Sequence, residues 1–363
     1  MKKISLSSIF SLCFLAVLHK APSVYASPFV ASGSTSYKNI SSHKGILREV
    51  ALKDSKGNNE YLLILRGGKV YADGKVLTTT DLLIEEAAVM GWGKSIKDHH
   101  LLKYKKEDNA PTYTEFSGRL AVVASSGAGN YYHWMMQILP RIEILQASGV
   151  EFDKLYFYDL KYPYQFQTLK ALGVKDSDYI IGKADNIVIA DTLIVPSIPN
   201  RELCYWPRDK TFSSHVLKFL EKKFFVQNTG KNFPKKIFIS RQKATRRNIV
   251  NENEIINSLK KKGYERVFLE DYSVQEQASM FFQAKAIIGV HGSGLTNLVF
   301  CQPKTKVLEI DPADGHRGPF KGLAIQKDLC YQHLKTSQKG LERERLEKDD
   351  VIVPLVTLLQ KAP

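Results

Sequence analysis

The chain is poor in cysteine and has no long apolar run, and each shortage narrows what it can be. Four cysteines, Cys13, Cys204, Cys301 and Cys330, are spread over 363 residues. They are too few and too far apart for a disulfide framework or a zinc site. The one strongly apolar stretch, residues 9–18, is far shorter than the roughly 20 residues of a membrane span. There is no Gly-x-Ser-x-Gly elbow and no Walker loop. Basic residues are not interleaved with aromatics as in a nucleic-acid module, and there are no internal repeats.

The length suits two domains rather than one core. Hydrophobic residues make up 44% and charged residues 25%, as in ordinary globular proteins. Formal net charge is +15. A basic surface attracts anions such as nucleotide diphosphates and acidic glycans, and suits contact with an anionic membrane surface. Residues 1–26 read as a signal peptide: Lys2 and Lys3, the apolar stretch, then small residues before a cut after Ala26. An uncleaved anchor is the other reading. Export through a secretory route follows from the first, and a cytoplasmic, membrane-associated protein is the alternative. Residues 27–45 are a Ser-rich linker with a sequon at Asn39.

Beyond the linker, apolar runs and helical periodicities alternate. Strands are expected over 60–65, 74–80, 119–124, 154–158 and 186–195, with helices over 130–147, 165–172 and 209–225. The second half is more regular: strands over 236–240, 266–269, 286–290 and 306–310. Helices follow from capping-box patterns at Asn251/Glu254 and Ser273/Glu276. A short helix over 295–301 and a terminal one over 351–359 complete the set. This alternation predicts a doubly wound parallel sheet. Two Rossmann-like α/β domains facing a cleft are the natural architecture. The boundaries read as 46–200 for an acceptor-side domain, 201–335 for a nucleotide-sugar domain and 336–363 for a helical tail.

Two constellations carry chemistry. His291-Gly292-Ser293-Gly294-Leu295-Thr296-Asn297 leaves a strand and opens a helix. Glycines admit close approach of phosphate, and the helix start presents amides with partial positive charge. His291 can donate to a phosphate oxygen, and Glu309, ending the next strand, can accept from ribose hydroxyls. Arg241, Arg246 and Arg247 follow the strand at 236–240, and arginine binds phosphate bidentately. The second constellation is Gly127 to Trp134. Read as a helix, Asn130, His133, Gln137 and Arg141 share a polar stripe opposite Trp134, Ile138 and Leu145. Asp176-Ser177-Asp178 follows a helix end and reads as a turn. Asp98-His99-His100 has no regular ligand spacing and reads as a solvated loop. No metal site emerges.

With these blocks in order the chain resembles glycosyltransferase family 61. The resemblance rests on Asn130, His133-Trp134, Pro140-Arg141, Ile239-Ser240-Arg241, Arg246-Arg247, Asn251-Glu252, Glu276-Gln277, His291 to Asn297, Phe300, Pro303 and Glu309. It spans roughly residues 50–335. It implies a GT-B fold, inversion at the anomeric carbon, a UDP-sugar donor, no required metal or other cofactor, and a glycan or glycoprotein acceptor. Gln137 stands where many members carry an acid, and Lys304 where glycine is usual after Pro303. The expected roles are His133 as base, Arg241 and His291 with the following amides as charge stabilisers, and Asn130, Gln137 and Arg141 on the acceptor side. The alternative is a non-catalytic nucleotide-sugar or glycan-binding protein on the same fold.

Overall fold

A computed structural model describes residues 46–53, 59–81, 83, 84, 87, 111–200, 212–226, 230–312, 318–336 and 350–363. The signal-like start, the linker and its sequon, and Asp98-His99-His100 lie outside them. The chain forms two compact units. The first takes the chain up to Gly129, Met136–Lys161 and Val174–Pro199; the second takes Asn130–Met135, Tyr162–Gly173 and Asn200–Pro363. The division is therefore not a single cut at residue 200: two short segments of the first half fold with the second unit.

The first unit is built on one mixed sheet of β1 (Ile46–Lys53), β2 (Asn59–Arg66), β3 (Lys69–Tyr71), β4 (Lys75–Leu77), β5 (Thr112–Val122), β6 (Lys154–Phe157), β7 (Tyr179–Ile181) and β8 (Asn186–Pro196). Its order is β1-β2-β8-β5-β6-β7, with the β3–β4 hairpin on β8. Strands β5 to β8 run parallel. Strands β1 and β2 add on antiparallel, so this unit departs from a purely parallel Rossmann-like plan. Leu63, Leu65, Val70, Leu120, Val122, Tyr156, Leu193 and Val195 fill its core.

Helix α1 joins the units through the chain. It comprises Tyr131–His133, a π turn at Trp134–Ile138 and Leu139–Ser148. Pro140 has no N–H for the Met136 carbonyl, so the α register fails there and the turn widens. The widening breaks the expected stripe. Asn130 is exposed and His133 half-buried, whereas Gln137 and Arg141 are fully buried.

The second unit is the doubly wound one. Its elements are α2 (Pro163–Ala171), α3 (Ser214–Phe224), β9 (Lys236–Ile239), α4 (Glu252–Lys260), β10 (Glu265–Val267) and α5 (Val274–Gln283). They continue with β11 (Ala286–Val290), a 3-10 helix (Ser293–Phe300), β12 (Lys306–Asp311), α6 (Pro319–Gln326), β13 (Cys330–Lys335) and α7 (Leu355–Lys361). The sheet is wholly parallel in the order β10-β9-β11-β12-β13. All five residues of β11 are buried, as expected of a central parallel strand covered on both faces.

The two capping boxes fare differently. Ser273 and Glu276 exchange their bonds at 2.8 and 3.3 Å and open α5. Asn251 instead bonds the Val353 carbonyl at 2.9 Å and accepts its N–H at 3.1 Å, so the box with Glu254 does not form. A backbone partner competes successfully for the asparagine amide. The terminal helix starts late because the residue before a proline is held out of the helical region, and Pro354 stands at its cap. Among the described residues no helix is long and apolar enough to cross a membrane.

Trp134 anchors the start of α1 in the second unit. It is fully buried, its indole N–H donates to Thr168 Oγ1 at 2.9 Å, and its ring meets Tyr164 edge-on. Trp134→Ala should cost about 3–5 kcal/mol, the range for an aromatic core deletion. Urea denaturation checks this; a loss under about 1 kcal/mol would contradict the packing.

Candidate functional site

In the second unit the strand order reverses between β9 and β11. The chain moves from β9 out to β10, returns to β11, and continues the other way to β12 and β13. Crevices beyond strand C-termini at such reversals are where open α/β sheets hold ligands. Two segments leave the sheet there: Ser240-Arg241 after β9 and His291-Gly292 after β11.

They meet closely. A Cβ added at Gly292 would collide with Arg241 Nη1, so the guanidinium lies against bare backbone. Gly292 is extended (φ 174°), and what it supplies is space rather than a left-handed turn. Arg241 donates through Nε and Nη2 to the Arg246 carbonyl at 3.2 and 2.9 Å, which aims the fork. Burial, then Arg247 and Arg246, pull its pKa down to about 10 against an opposing pull from Glu270. The group stays cationic at neutral pH. Arg246 is exposed, and Arg247 is half-buried with a left-handed backbone (φ 57°). Gly294 differs from the expectation for it: a Cβ there would press on Leu269 Cδ1 at 2.8 Å, so its smallness serves packing.

His291 is set from several sides. Its N–H bonds the Ile310 carbonyl at 2.8 Å, and its Nδ1 bonds the Glu309 carboxylate. Phe320 lies 5.2 Å from its ring, and Gly318 leaves room for the imidazole edge. Glu309 also accepts from the Tyr331 hydroxyl, whose pKa is raised by burial and by that carboxylate. Glu309 is buried with both oxygens engaged, so it orients His291 rather than standing open to a ribose. Ser293 and Gly294 are half-buried at the start of the 3-10 helix, where the first amides lack intrahelical partners. Tyr331 has no local signal in the sequence, because β13 reaches Glu309 only through sheet pairing.

Asn297 has a different duty from the one its motif suggests. It is fully buried, accepts from Tyr131 Oη at 2.8 Å and donates to Gln277 Oε1 at 2.8 Å. Gln277 passes the chain to the Leu269 and Tyr272 carbonyls at 2.9 and 3.0 Å. Both functional ends of the asparagine amide are spent on scaffolding. The Tyr131 end of this network holds the start of α1, where Asn130 caps by accepting from the Tyr132 N–H at 2.9 Å. Tyr132 meets Phe212 and Phe320 edge-on. His133, the next residue, packs edge-on to Tyr132 at 5.2 Å. His133 therefore folds with the unit that carries the Arg241–Gly292 crevice, not with the first unit as its place in the chain suggested.

Arg141 is fully buried in the first unit. It donates to the Ala124 carbonyl at 2.8 Å and the Pro196 carbonyl at 2.8 and 3.2 Å, bridging the ends of β5 and β8. Burial pulls its pKa down to about 9, opposed by Tyr61. It is a structural strut and offers nothing to an acceptor. Gln137 is equally enclosed. Asp176 and Asp178 close their own turn through Tyr179 and the Lys175 N–H.

The family model described as Glycosyltransferase 61 matches residues 131–308. The match begins at Tyr131 and ends within β12, so it includes the helix start, Arg241 and the His291–Asn297 loop together. Over those residues the chain matches glycosyltransferase family 61. Similar proteins include the EGF domain-specific O-linked N-acetylglucosamine transferase of Canis lupus familiaris, 30% identical over 38% of this chain and 26% of that protein. A beta-1,2-xylosyltransferase of Oryza sativa subsp. japonica is 35% identical over 26% of this chain and 19% of its own length. An alpha-1,3-arabinosyltransferase of the same plant is 36% identical over 27% and 18%. The chain thus matches about a quarter or less of the length of these relatives.

Asn297→Ala should behave as a scaffold deletion. It strands Tyr131 Oη and Gln277 Oε1 in a buried setting, at about 1–3 kcal/mol for each unsatisfied group. A combined loss of about 2–6 kcal/mol in urea denaturation is expected. Wild-type stability would instead return Asn297 to the ligand side.

Proposed function

We propose that this chain is a glycosyltransferase that moves a sugar from a UDP-sugar to a hydroxyl of a glycan or glycoprotein, with inversion and without a required metal, GT-B being the plan of its two α/β units. The observation that carries the reading is the Arg241 guanidinium seated on Gly292 at the reversal of the parallel sheet. The family match over residues 131–308 supports a transferase, and the relatives matched are named for N-acetylglucosamine, xylose and arabinose transfer. The signal-like residues 1–26 support action on an export route.

The proposed step is a single displacement. The acceptor hydroxyl gives its proton to a base as its oxygen bonds the anomeric carbon. The bond from that carbon to the diphosphate oxygen breaks on the opposite face, and UDP leaves with the electron pair. Arg241, the amides at Ser293 and Gly294, and His291 held by Glu309 stabilise the growing phosphate charge. Arg246 and Arg247 add positive potential. His133 is the proposed base: a neutral imidazole accepts a proton near physiological pH. Asn130, beside it and exposed, is the remaining acceptor-side candidate from the helix start.

Donor binding is tested by titrating UDP into folded variants. Arg241→Ala should lose about 1.5–3 kcal/mol of affinity, the range for hydrogen bonds to a charged group. Gly292→Ala should weaken UDP as well by displacing the guanidinium. Unchanged affinity in both would remove the crevice from the donor site.

Transfer is tested in single turnover with a panel of UDP-sugars. His133→Ala should lower the rate about 10²-fold or more, while UDP affinity stays within about threefold. Wild-type transfer should survive EDTA. Full activity in His133→Ala would place the base elsewhere, strict Mn²⁺ dependence would overturn the metal-independent scheme, and UDP binding without transfer would make the chain a nucleotide-sugar-binding protein.

A further inference from the structure

The arginine loop between β9 and α4 is held from behind by the C-terminal segment of the chain. Asn248 follows Arg246-Arg247 directly. Its carbonyl accepts from the Val351 N–H at 2.7 Å, and the Val351 carbonyl accepts from the Val250 N–H at 2.9 Å. Ile249 and Val351 form a parallel bridge. The Asp350 carboxylate accepts from the Asn248 backbone N–H at 3.0 Å and from its side-chain amide at 3.2 Å. That amide also donates to the Ala244 carbonyl at 3.2 Å, in the middle of the loop. Asn251 closes the set with its two bonds to Val353.

The segment is firmly rooted. Val351, Val353 and Leu358 are buried in the core of the second unit. Lys262 Nζ reaches the Leu359 carbonyl at 2.7 Å, and Tyr264 Oη reaches the Pro363 carbonyl at 2.6 Å. Residues 350–363 are thus part of the nucleotide unit rather than a tail appended to it.

The consequence runs through the backbone. The Arg246 carbonyl is the atom that aims Arg241, and Arg247 beside it stands in a left-handed conformation that a non-glycine residue adopts only at an energetic cost. Such a conformation persists only where its surroundings fix it. On one side the Ala244 N–H bonds the Arg241 carbonyl at 2.8 Å; on the other, Asn248 is locked to Asp350 and Val351. The carboxylate also sets a negative charge behind a loop carrying Arg241, Lys243, Arg246 and Arg247.

We infer that Asp350 is a positioning residue for the donor site, acting through Asn248 to hold the Arg246–Arg247 turn in the form that aims Arg241 at Gly292. The inference rests on the proposed donor site. It predicts a loss in donor binding that stability alone does not produce, and rescue by a side chain that still accepts a hydrogen bond.

The full chain is titrated with UDP in parallel with thermal melting. Asp350→Ala should weaken UDP about tenfold and raise the donor KM by a similar factor, with kcat changed less than threefold. Asp350→Asn keeps an acceptor oxygen and should stay within threefold of wild type for UDP. Asn248→Ala, which removes the staple from the other side, should match Asp350→Ala. A core variant of the first unit, Leu65→Ala, should leave UDP affinity unchanged at a temperature where it is folded. If Asp350→Ala melts below the assay temperature, Asn248→Ala carries the test alone. Wild-type UDP affinity in folded Asp350→Ala or Asn248→Ala overturns the inference and leaves the donor site standing. Failure of the wild-type chain to bind UDP overturns the donor reading and this inference with it.

Discussion

The contact between Arg241 and Gly292 depends on one constraint, the reversal of strand order in a wholly parallel sheet. Parallel strands send all their C-termini to one edge, and the reversal opens a gap between two of the loops that leave it. Here the loops bring a guanidinium from β9 and a glycine from β11. Arginine without the reversal would be another surface cation, and the glycine another tight turn. The sheet gives them a shared place, and the bonds to the Arg246 carbonyl give the arginine a direction.

Much of the polar sequence around this crevice is scaffold. Asn297, Gln277 and Tyr131 form a buried chain whose members satisfy one another. Glu309 and Tyr331 stand behind His291 in the same way. Such buried networks are stabilising only when every member is paired, because an unpaired buried group costs the full desolvation. A polar residue inside a motif therefore has two physical reasons to be there, touching the ligand or holding what touches it. The distinction is one of geometry, and only the arrangement in space makes it.

That is also where the sequence ran out. The order of strands and helices from β9 to β12 was legible from apolar runs and turn residues, down to β11 at its observed bounds, whereas α6 and β13 were not read from the sequence. So was the Ser273 box, because its partners are three residues apart. What failed involved distant partners or a changed helical period. Asn251 has a box spacing, but Val353, a hundred residues away, takes its side chain. The polar stripe on α1 assumed a uniform period, and Pro140 forces a π turn that removes Gln137 and Arg141 from it. Lys304, placed where the family resemblance suggests glycine, proves to occupy a left-handed turn at φ 65°, which explains the preference it departs from. Around the candidate site, the positions of the His291 loop and of Arg241 just after their strands were legible, whereas Tyr331, Phe320 and Gly318 reach His291 only through sheet and helix packing.

Arg141 shows why the two units are not equivalent. In the first unit the parallel strands also double back, β8 lying on the far side of β5 from β6. The ends of β5 and β8 would leave a gap there of the kind that holds ligands. Arg141 fills it, bonding the Ala124 and Pro196 carbonyls with a side chain that has no solvent exposure. Burying a cation against carbonyl dipoles is costly, as its lowered pKa records, and a small apolar plug would avoid that cost. A guanidinium can satisfy two strand ends at once, which no apolar side chain can. In the second unit the guanidinium at the equivalent edge is only partly enclosed and lies on a glycine, which is the arrangement a diphosphate can use. The same residue type thus stands at two sheet reversals, enclosed by the carbonyls of two strand ends in one and laid against a bare glycine in the other, and the proposed donor role rests on that difference.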